Sequence, residues 1–464
     1  MSSQRHLGGL MALVFLMGCR LCLAIDMDAA SGPVTPGSSN ALSGNHGANT
    51  FAPGNPASIN GQTDLAAPAE PPAVMALPAN GGTAPGDAST TRKFYTLTAS
   101  LREIYDSNDN TSNIHPQASL ETELSPSILV DFPSEGNDFT ARYTLDLTYY
   151  NPEQTDSATV DNGGKTSNEI DVTHEFVAQY AHTFSDRFSI NLAEDFRYFI
   201  EPSIDQSTGS NYQQGAYVAN VLNGTLTAQW TPLIGTTTSY SNTIVRYDEA
   251  DVADFQDNIE NTGTQSVSYA VLPKISASLG GTVDNITYKT SLRGYTTYTG
   301  FVGGSWQVLP SLSVTGQGGA TYIVPISGSD STAPYAALTL NWNLGARSSL
   351  SFNYAHEITP SDQVGANGQT SDRFSSNFRY DINTRLSSHL QGTFTYATVS
   401  QDLLVAQGAS SYQEDQYYLD TGLTYHYNSY LDLDSGVTIS GVASDISNNS
   451  YSRDEVYLGV RGTY

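Results

Sequence analysis

The sequence is poor in cysteine. Its two cysteines, Cys19 and Cys22, both lie at the start of a chain of 464 residues. No disulfide framework or thiolate metal centre can therefore organise the remainder of the chain. The C-x-x-C spacing stands alone beside an apolar leader, which fits neither a zinc site nor a redox fold. Long apolar runs are missing as well. After Lys93 no stretch approaches the about 18 uninterrupted apolar residues that a membrane-spanning helix requires. Positive charge is scarce: Lys plus Arg total 19 against 46 Asp plus Glu, a formal net charge of -27. Such a balance excludes nucleic acid as a partner and simple adhesion to anionic lipid, since both need a cationic surface. Charge of either sign is low, at 14%, against roughly 25% in soluble domains.

Tyrosine and glycine are abundant, with 29 and 40 residues. Their distribution divides the chain into three parts. Residues 1–24, "MSSQRHLGGLMALVFLMGCRLCLA", have a positive n-region at Arg5 and an apolar core from Leu10 to Met17, the pattern of a secretory leader. Cleavage after Ala24 competes with lipidation of Cys19 in "LMGC". Met17 and Arg20 depart from a lipobox, so cleavage is the expectation. Residues 25–92 are rich in Pro, Gly, Ala and Asn with no helical or strand period, which predicts a disordered periplasmic linker.

Residues 93–464 alternate. In "DFTARYTLDLTYY", Phe139, Ala141, Tyr143, Leu145, Leu147 and Tyr149 share one face of an extended strand. Thr140, Arg142, Thr144, Asp146 and Thr148 share the other. The stretches "DRFSSNFRYDI", "RLSSHLQGTFTY" and "EDQYYLDTGLTYHY" repeat the pattern. Short connectors such as "FSDR", "LPKI" and "LPSL" alternate with long loops rich in Asp, Asn, Ser and Gly. This layout predicts an all-β fold, a transmembrane antiparallel up-and-down barrel of about 18 strands, with 16 as the alternative. The region from Gly263 to Gly304 alternates weakly, and near Glu194 the period slips, which predicts a bulge or an interfacial charge.

In lipid every backbone group must be paired inside the protein, so strands must close into a barrel with no edge. Apolar faces then meet lipid and polar faces line the interior. The expected lining is Arg142, Asp146, Asp171, Glu175, Arg197, Arg373, Arg379, Asp381, Arg385, His389, Asp420, His426, Asp432, Asp434 and Arg461. Arg246, Arg293, Asp195 and Glu357 fall in the same polar set. The units "FSDRFSIN", "LPSLSVTG" and "TRLSSHLQGTFTY", with "AEDFRYFIEPSI" and the final strand, resemble the outer-membrane beta-barrel porins of diderm bacteria. That resemblance implies a barrel in the outer membrane, and a role in exopolysaccharide secretion suspected for such proteins.

Chemistry beyond a channel is thinly marked. No H-E-x-x-H, nucleophile elbow or P-loop is present. Ser388 and His389 are strand neighbours and so face opposite ways. No metal or other cofactor is expected. The loop "YDEADVADFQDNIEN" gathers Asp248, Glu249, Asp251, Asp254, Asp257 and Glu260. It reads as a solvated surface loop that, folded inward, would favour cations at the pore mouth. "DSNDNTSN", Asp106 to Asn113, reads as a turn-rich loop, with weak cation binding as the alternative.

The leading function is a porin-like channel for small hydrophilic solutes with a mild cation preference. An export conduit with polysaccharide-secretion partners, and a structural or adhesive barrel plugged by its own loops, are the alternatives. In the last ten residues, "EVYLGVRGTY", Val456, Leu458, Val460, Gly462 and Tyr464 form an apolar set. The expectation is that this strand pairs with "KFYTLTASLREIY" to close the barrel. The resemblance makes Gly459 and Tyr464 an assembly signal for the barrel-assembly machinery, from which Gly462 departs.

Overall fold

The computed structural model describes residues 94–464, apart from 110, 112, 114–115, 135, 153–169, 201–202, 205–210, 213–215, 290–292, 362–365, 400–410 and 446–449. The expected leader 1–24, with Cys19, and the expected linker 25–92 lie outside the described residues. Eighteen strands pair in one antiparallel sheet. They are β1 Tyr95–Asp106, β2 Ser119–Ser134, β3 Asn137–Pro152, β4 Ile170–Ser185, β5 Phe188–Phe199 and β6 Tyr217–Gln229. There follow β7 Ile234–Tyr247, β8 Asn258–Leu272, β9 Ile275–Tyr288, β10 Gly294–Leu309, β11 Leu312–Pro325 and β12 Ser331–Asn343. The last six are β13 Ser348–Thr359, β14 Gln369–Asn383, β15 Leu386–Val399, β16 Tyr412–His426, β17 Leu431–Ser444 and β18 Tyr451–Thr463. A two-residue hairpin, Ser203–Ile204 with Asn211–Tyr212, stands in the β5–β6 loop.

Each strand pairs with the next, and β18 returns to β1 in a register running from Thr98↔Thr463 to Asp106↔Glu455. The sheet is therefore a closed barrel without an edge, as the alternation predicts. At the seam Leu97 and Tyr464 exchange both backbone hydrogen bonds, at 3.0 and 2.8 Å. The strands interrupt their register near Thr183, Ala270, Gln307 and Asp381, each beside a short turn. No helix among the described residues is long and apolar enough to cross a membrane.

The period-2 rule assigns the faces. On β18, Val456 and Leu458 are 51% and 67% exposed, while Tyr457 and Glu455 beside them are buried. Outward faces elsewhere carry Leu, Ile, Val, Phe and Tyr, the surface of a barrel solvated by lipid. Aromatic rings gather at the short-turn end, including Trp230, Trp306, Tyr425, Tyr427, Tyr430 and Tyr464. Rings at this depth fit the headgroup level, where an apolar body and a polar tip are both satisfied.

Two irregularities in the sequence pattern resolve differently. Strands β8 to β10 run in unbroken register through Gly263 and Gly300. Their alternation is weak because the outward face there holds Asn261, Gly263, Gln265, Gly281, Asn285 and Gly300 rather than large apolar groups. Near Glu194 no bulge forms, since the β4–β5 and β5–β6 registers pass straight through it. Glu194 instead takes the outward parity, where the Asn220 amide donates to its carboxylate.

Inside the barrel, Tyr457 lies against Gly436, its direct partner on β17. A β-carbon on Gly436 would overlap the Tyr457 phenol. The ring is held flat between that glycine and the guanidinium of Arg102, 4.6 Å from its centroid. Gly436→Val should therefore lift the ring off the wall and destabilise the barrel by about 1–3 kcal/mol, the usual cost of overpacking. Urea unfolding in detergent measures it; a midpoint equal to that of the unmodified protein would show that the ring has room to move.

Candidate channel lining and loop roof

Inward side chains form two unlike arcs. The first runs through β13 to β18 and on through β1 to β5, and it carries charge of both signs. Across it the strand registers set arginines and histidines beside carboxylates. Arg102 donates to Asp434 and Arg461 to Asp432, each at 2.7 Å. Arg142 reaches Glu175 at 3.0 Å, and Arg373 reaches Glu357 at 2.9 Å. Arg197 forks onto Asp195 and lies 3.7 Å from Glu175. His389 meets Asp420, and His426 meets Asp432, both at 2.8 Å. Near the long-loop end Arg453 contacts Asp106 at 2.6 Å and Glu455 at 3.2 Å. Each pair gives hydrogen-bonding groups held away from bulk water a partner on the same or a neighbouring strand.

The second arc, β6 to β12, is lined by hydroxyls and amides. Thr264 meets Thr282 at 2.9 Å, and Ser276 meets Ser305 and Thr299 meets Thr321 at 2.8 Å. Among the described residues its inward carboxylates are Glu260 and Asp284, and no Lys or Arg on these strands takes the inward parity. A ring pair, Phe301 and Tyr335, sits midway with centroids 6.1 Å apart.

Most residues expected to line the interior take the inward parity: Arg142, Asp146, Asp171, Glu175, Arg197, Arg373, Arg379, Asp381, His389, Asp420, His426, Asp432, Asp434 and Arg461. Arg385 does not. It stands in the short β14–β15 turn, where its backbone N–H bonds the Asn383 side chain at 2.8 Å. Parity fails there because a turn residue has no strand face. Arg246 is on the outward parity of β7 and donates to the carbonyls of Val245 and Asn258. Arg102, Glu121, Glu123, Glu414, Arg453 and Glu455 are inward as well, beyond the set expected from sequence. The alternation on β1, β2, β16 and β18 carries their signal.

The acidic loop is not one cluster. Seven of its residues form a helix, α1, Ala250–Gln256, an addition to the all-β expectation. Ala253 packs against Tyr217, Ala219, Val245 and Tyr247, all inward on β6 and β7. The loop therefore folds into the barrel mouth rather than standing in solvent. Asp257 is buried and accepts the Tyr247 N–H at 2.8 Å. Asp254 is exposed and pairs with Lys289 at 2.8 Å, a bond that holds the Lys289 ammonium above its ordinary pKa. Asp248 accepts from the Tyr198 hydroxyl at 3.3 Å, and Glu260 lies on β8. The side chain of Asp251 is outside the described residues. In "DSNDNTSN", Asp106 and Asp109 come together with Glu121, their carboxylate oxygens within 4.8 Å of one another. The Arg453 guanidinium, bonded to Asp106, supplies positive charge there.

A second segment also enters the mouth. Ala366, fully buried, is surrounded by Ile286, Tyr288, Tyr295, Ile323 and Val399. Those five come from β9, β10, β11 and β15, so the β13–β14 loop reaches across part of the interior. Arg293 binds the two loops together. It is 2% exposed, and its Nε donates to Ala366 O at 2.7 Å. Its Nη1 donates to Phe255 O on α1 at 2.7 Å, and its Nη2 donates to Ser361 O. Its guanidinium carbon lies 3.9 Å from the Tyr288 ring centroid. Asn367 adds a bond from the Gly294 N–H at 3.1 Å and one to Ser327 O at 2.7 Å. Gly294, at φ +127°, adopts a backbone conformation that other residues rarely reach. Arg293 thus belongs to a loop roof, not to the strand lining.

Residues 329–464, which span β12 to β18, match the family described as Putative beta-barrel porin 2. Among solved structures, the chain is similar to a BenF-like porin from Pseudomonas fluorescens Pf-5, at 11% identity and a TM-score of 0.42, over 80% of this chain and 99% of that one. It is similar to Pseudomonas aeruginosa OccK1 (OpdK) at 9% identity and a TM-score of 0.41, over 80% and 99%. Acinetobacter baumannii OccAB4 gives 10% identity and a TM-score of 0.38, over 81% and 99%. No curated protein sequence matches the chain.

Proposed function

We propose that this protein is an outer-membrane channel of porin type, through which small hydrophilic solutes diffuse passively. The observation that carries the reading is the division of faces in a closed 18-stranded barrel. Its outside is apolar, and its inside is charged on one arc and hydroxyl-lined on the other. No catalytic step is needed; solute passage follows from pore width and lining charge. Carboxylates outnumber guanidinium groups on the charged arc, which supports a mild cation preference. Within this reading the leader 1–24 is removed, residues 25–92 remain in the periplasm, and the barrel-assembly machinery inserts the barrel.

Reconstitution into planar bilayers tests this. Stepwise conductance is expected, and under a potassium chloride gradient the reversal potential should take the sign of cation flow. A barrel that inserts but never conducts would overturn the channel, and an anion-signed potential would overturn the preference alone.

A further inference from the structure

One stretch of the outer wall is not apolar. On β7, β8 and β9 the outward residues Asn242, Asn261 and Asn285 stand directly opposite one another. Thr238 and Gln265 form a second outward pair, joined by a hydrogen bond of 2.6 Å. Gln265 lies midway along β8 and Asn242 just past the middle of β7, inside the band that meets hydrocarbon in a membrane barrel. Mid-strand positions on β1, β4, β17 and β18 carry exposed Leu101, Phe176, Ile439 and Leu458 instead. Hydrocarbon offers an amide no hydrogen-bond partner, so polar side chains at this depth turn toward protein or water.

The amides satisfy one another only in part. Asn261 Oδ1 accepts from the Tyr240 hydroxyl at 2.8 Å and from Asn242 Nδ2 at 2.9 Å. Asn242 Nδ2 also reaches Glu260 O at 3.4 Å. Among the described residues, Asn261 Nδ2 and Asn242 Oδ1 make no hydrogen bond. A donor and an acceptor therefore stand side by side on facing residues of neighbouring strands. A second copy turned about a two-fold axis presents its acceptor to that donor and its donor to that acceptor, the self-complementarity of an isologous interface. Beside the amides the wall is low. Gln265, Gly281, Gly300 and Ala320 form one outward row across β8 to β11. A β-carbon on Gly263 or Gly300 would meet no other atom within 4 Å. Small residues let backbones approach closely in a membrane, where packing and hydrogen bonds drive association.

We propose that the outer wall of β7 to β10 docks a second copy of this chain, with the Asn242 and Asn261 amides bonding across a two-fold axis. The weak alternation from Gly263 to Gly304 is then the mark of this interface in the sequence. The pairing rests on the barrel standing in lipid and does not depend on conduction.

Disulfide cross-linking in outer-membrane vesicles, and sedimentation of the folded full-length protein in detergent micelles, test the pairing. Chains carrying Asn242→Cys and chains carrying Asn261→Cys, produced together and oxidised, should give a band of twice the chain's mass. Leu423→Cys chains, altered at an exposed site on β16, should not. In micelles the unmodified protein should sediment as two copies. Gly263→Trp puts a bulky ring where the barrel has open space but the second copy must come close. It should weaken association by about tenfold or more, and so should Asn261→Leu, which gives up the donor. Leu423→Trp should leave association unchanged. If Gly263→Trp does not fold, Asn261→Leu decides, and unaltered association in it overturns the proposal. A cross-linked band of another mass, from a different protein on this wall, also overturns it, as does no band at all, the result expected if lipid alone covers the amides. A silent channel leaves the pairing standing, and a failed pairing leaves the conductance result standing.

Discussion

Arg293→Ala is expected to raise single-channel conductance and make it noisy while the barrel itself stays folded. Arg293 is a buried guanidinium whose partners are carbonyls. It holds Ala366, Phe255 and Ser361 through their backbone oxygens, and so ties the α1 loop to the β13–β14 loop. Truncation leaves those acceptors without their donor, at about 1–3 kcal/mol for each that stays buried. The loops can recover this by moving out to water, which unroofs part of the mouth. The strand ladders on either side, β9–β10 and β13–β14, do not use Arg293, so the wall is retained. Conductance follows the open cross-section of a water-filled pore, and a gain of roughly twofold is the expected scale. Arg293→Lys keeps the charge but cannot fork across three carbonyls, and should fall between the two. Equal conductance and equal noise in all three proteins would show that the roof does not restrict the pore.

Removing Tyr464 should lower the yield of folded, membrane-inserted barrel more than shortening any one long loop. Tyr464 and Leu97 exchange two backbone hydrogen bonds across the seam. Without them the Leu97 N–H and C=O face lipid unpaired, at a cost of several kcal/mol. The exposed ring adds an interfacial anchor beside Tyr430. A folded fraction lower by about tenfold or more follows from even about 1.4 kcal/mol of that cost. Heat-shifted mobility on gels, with membranes as the folding surface, reads the fraction. Tyr464→Ala separates the contributions, since it keeps both seam hydrogen bonds and loses only the ring. Normal insertion of the truncated protein would show that the remaining β18–β1 ladder, Thr98 to Asp106, is sufficient by itself.

The seam was legible in the sequence because pairing of first and last strands is a consequence of closure, and closure is forced by lipid. Residue by residue, the alternation on "DFTARYTLDLTYY" places Arg142 and Asp146 inward, and the structure has them there. It misplaces Arg385 and Arg293 because neither is on a strand, and parity has meaning only on a strand; Arg246 is on β7 but takes the outward parity, where carbonyls of Val245 and Asn258 hold its guanidinium. It leaves Glu194 ambiguous because an outward carboxylate and a bulge disturb the pattern alike. The choice between them depends on Asn220, a residue one strand away that donates to the acid.

The acidic loop shows the limit most clearly. Six carboxylates in sequence suggest one electrostatic feature. In the fold they separate into a buried acceptor at Asp257, an exposed ion pair at Asp254, a strand position at Glu260 and a helix start at Glu249. Ala253 decides this, by docking on inward rings of β6 and β7. Nothing local in "ADVADFQ" announces that its alanine faces a cavity wall.

By itself the sequence determined the class of fold, the approximate number of strands, which side chains face lipid and where the sheet closes. All of these come from a two-residue period and from the demand that backbone groups be paired in lipid, and both are local or universal rules. Only the tertiary structure decided that two loops turn inward under Arg293 and which carboxylates gain a guanidinium. Those outcomes depend on register between strands far apart in sequence and on the packing of loop against wall. Contacts of that kind are set by the closed geometry as a whole, and no single segment carries them.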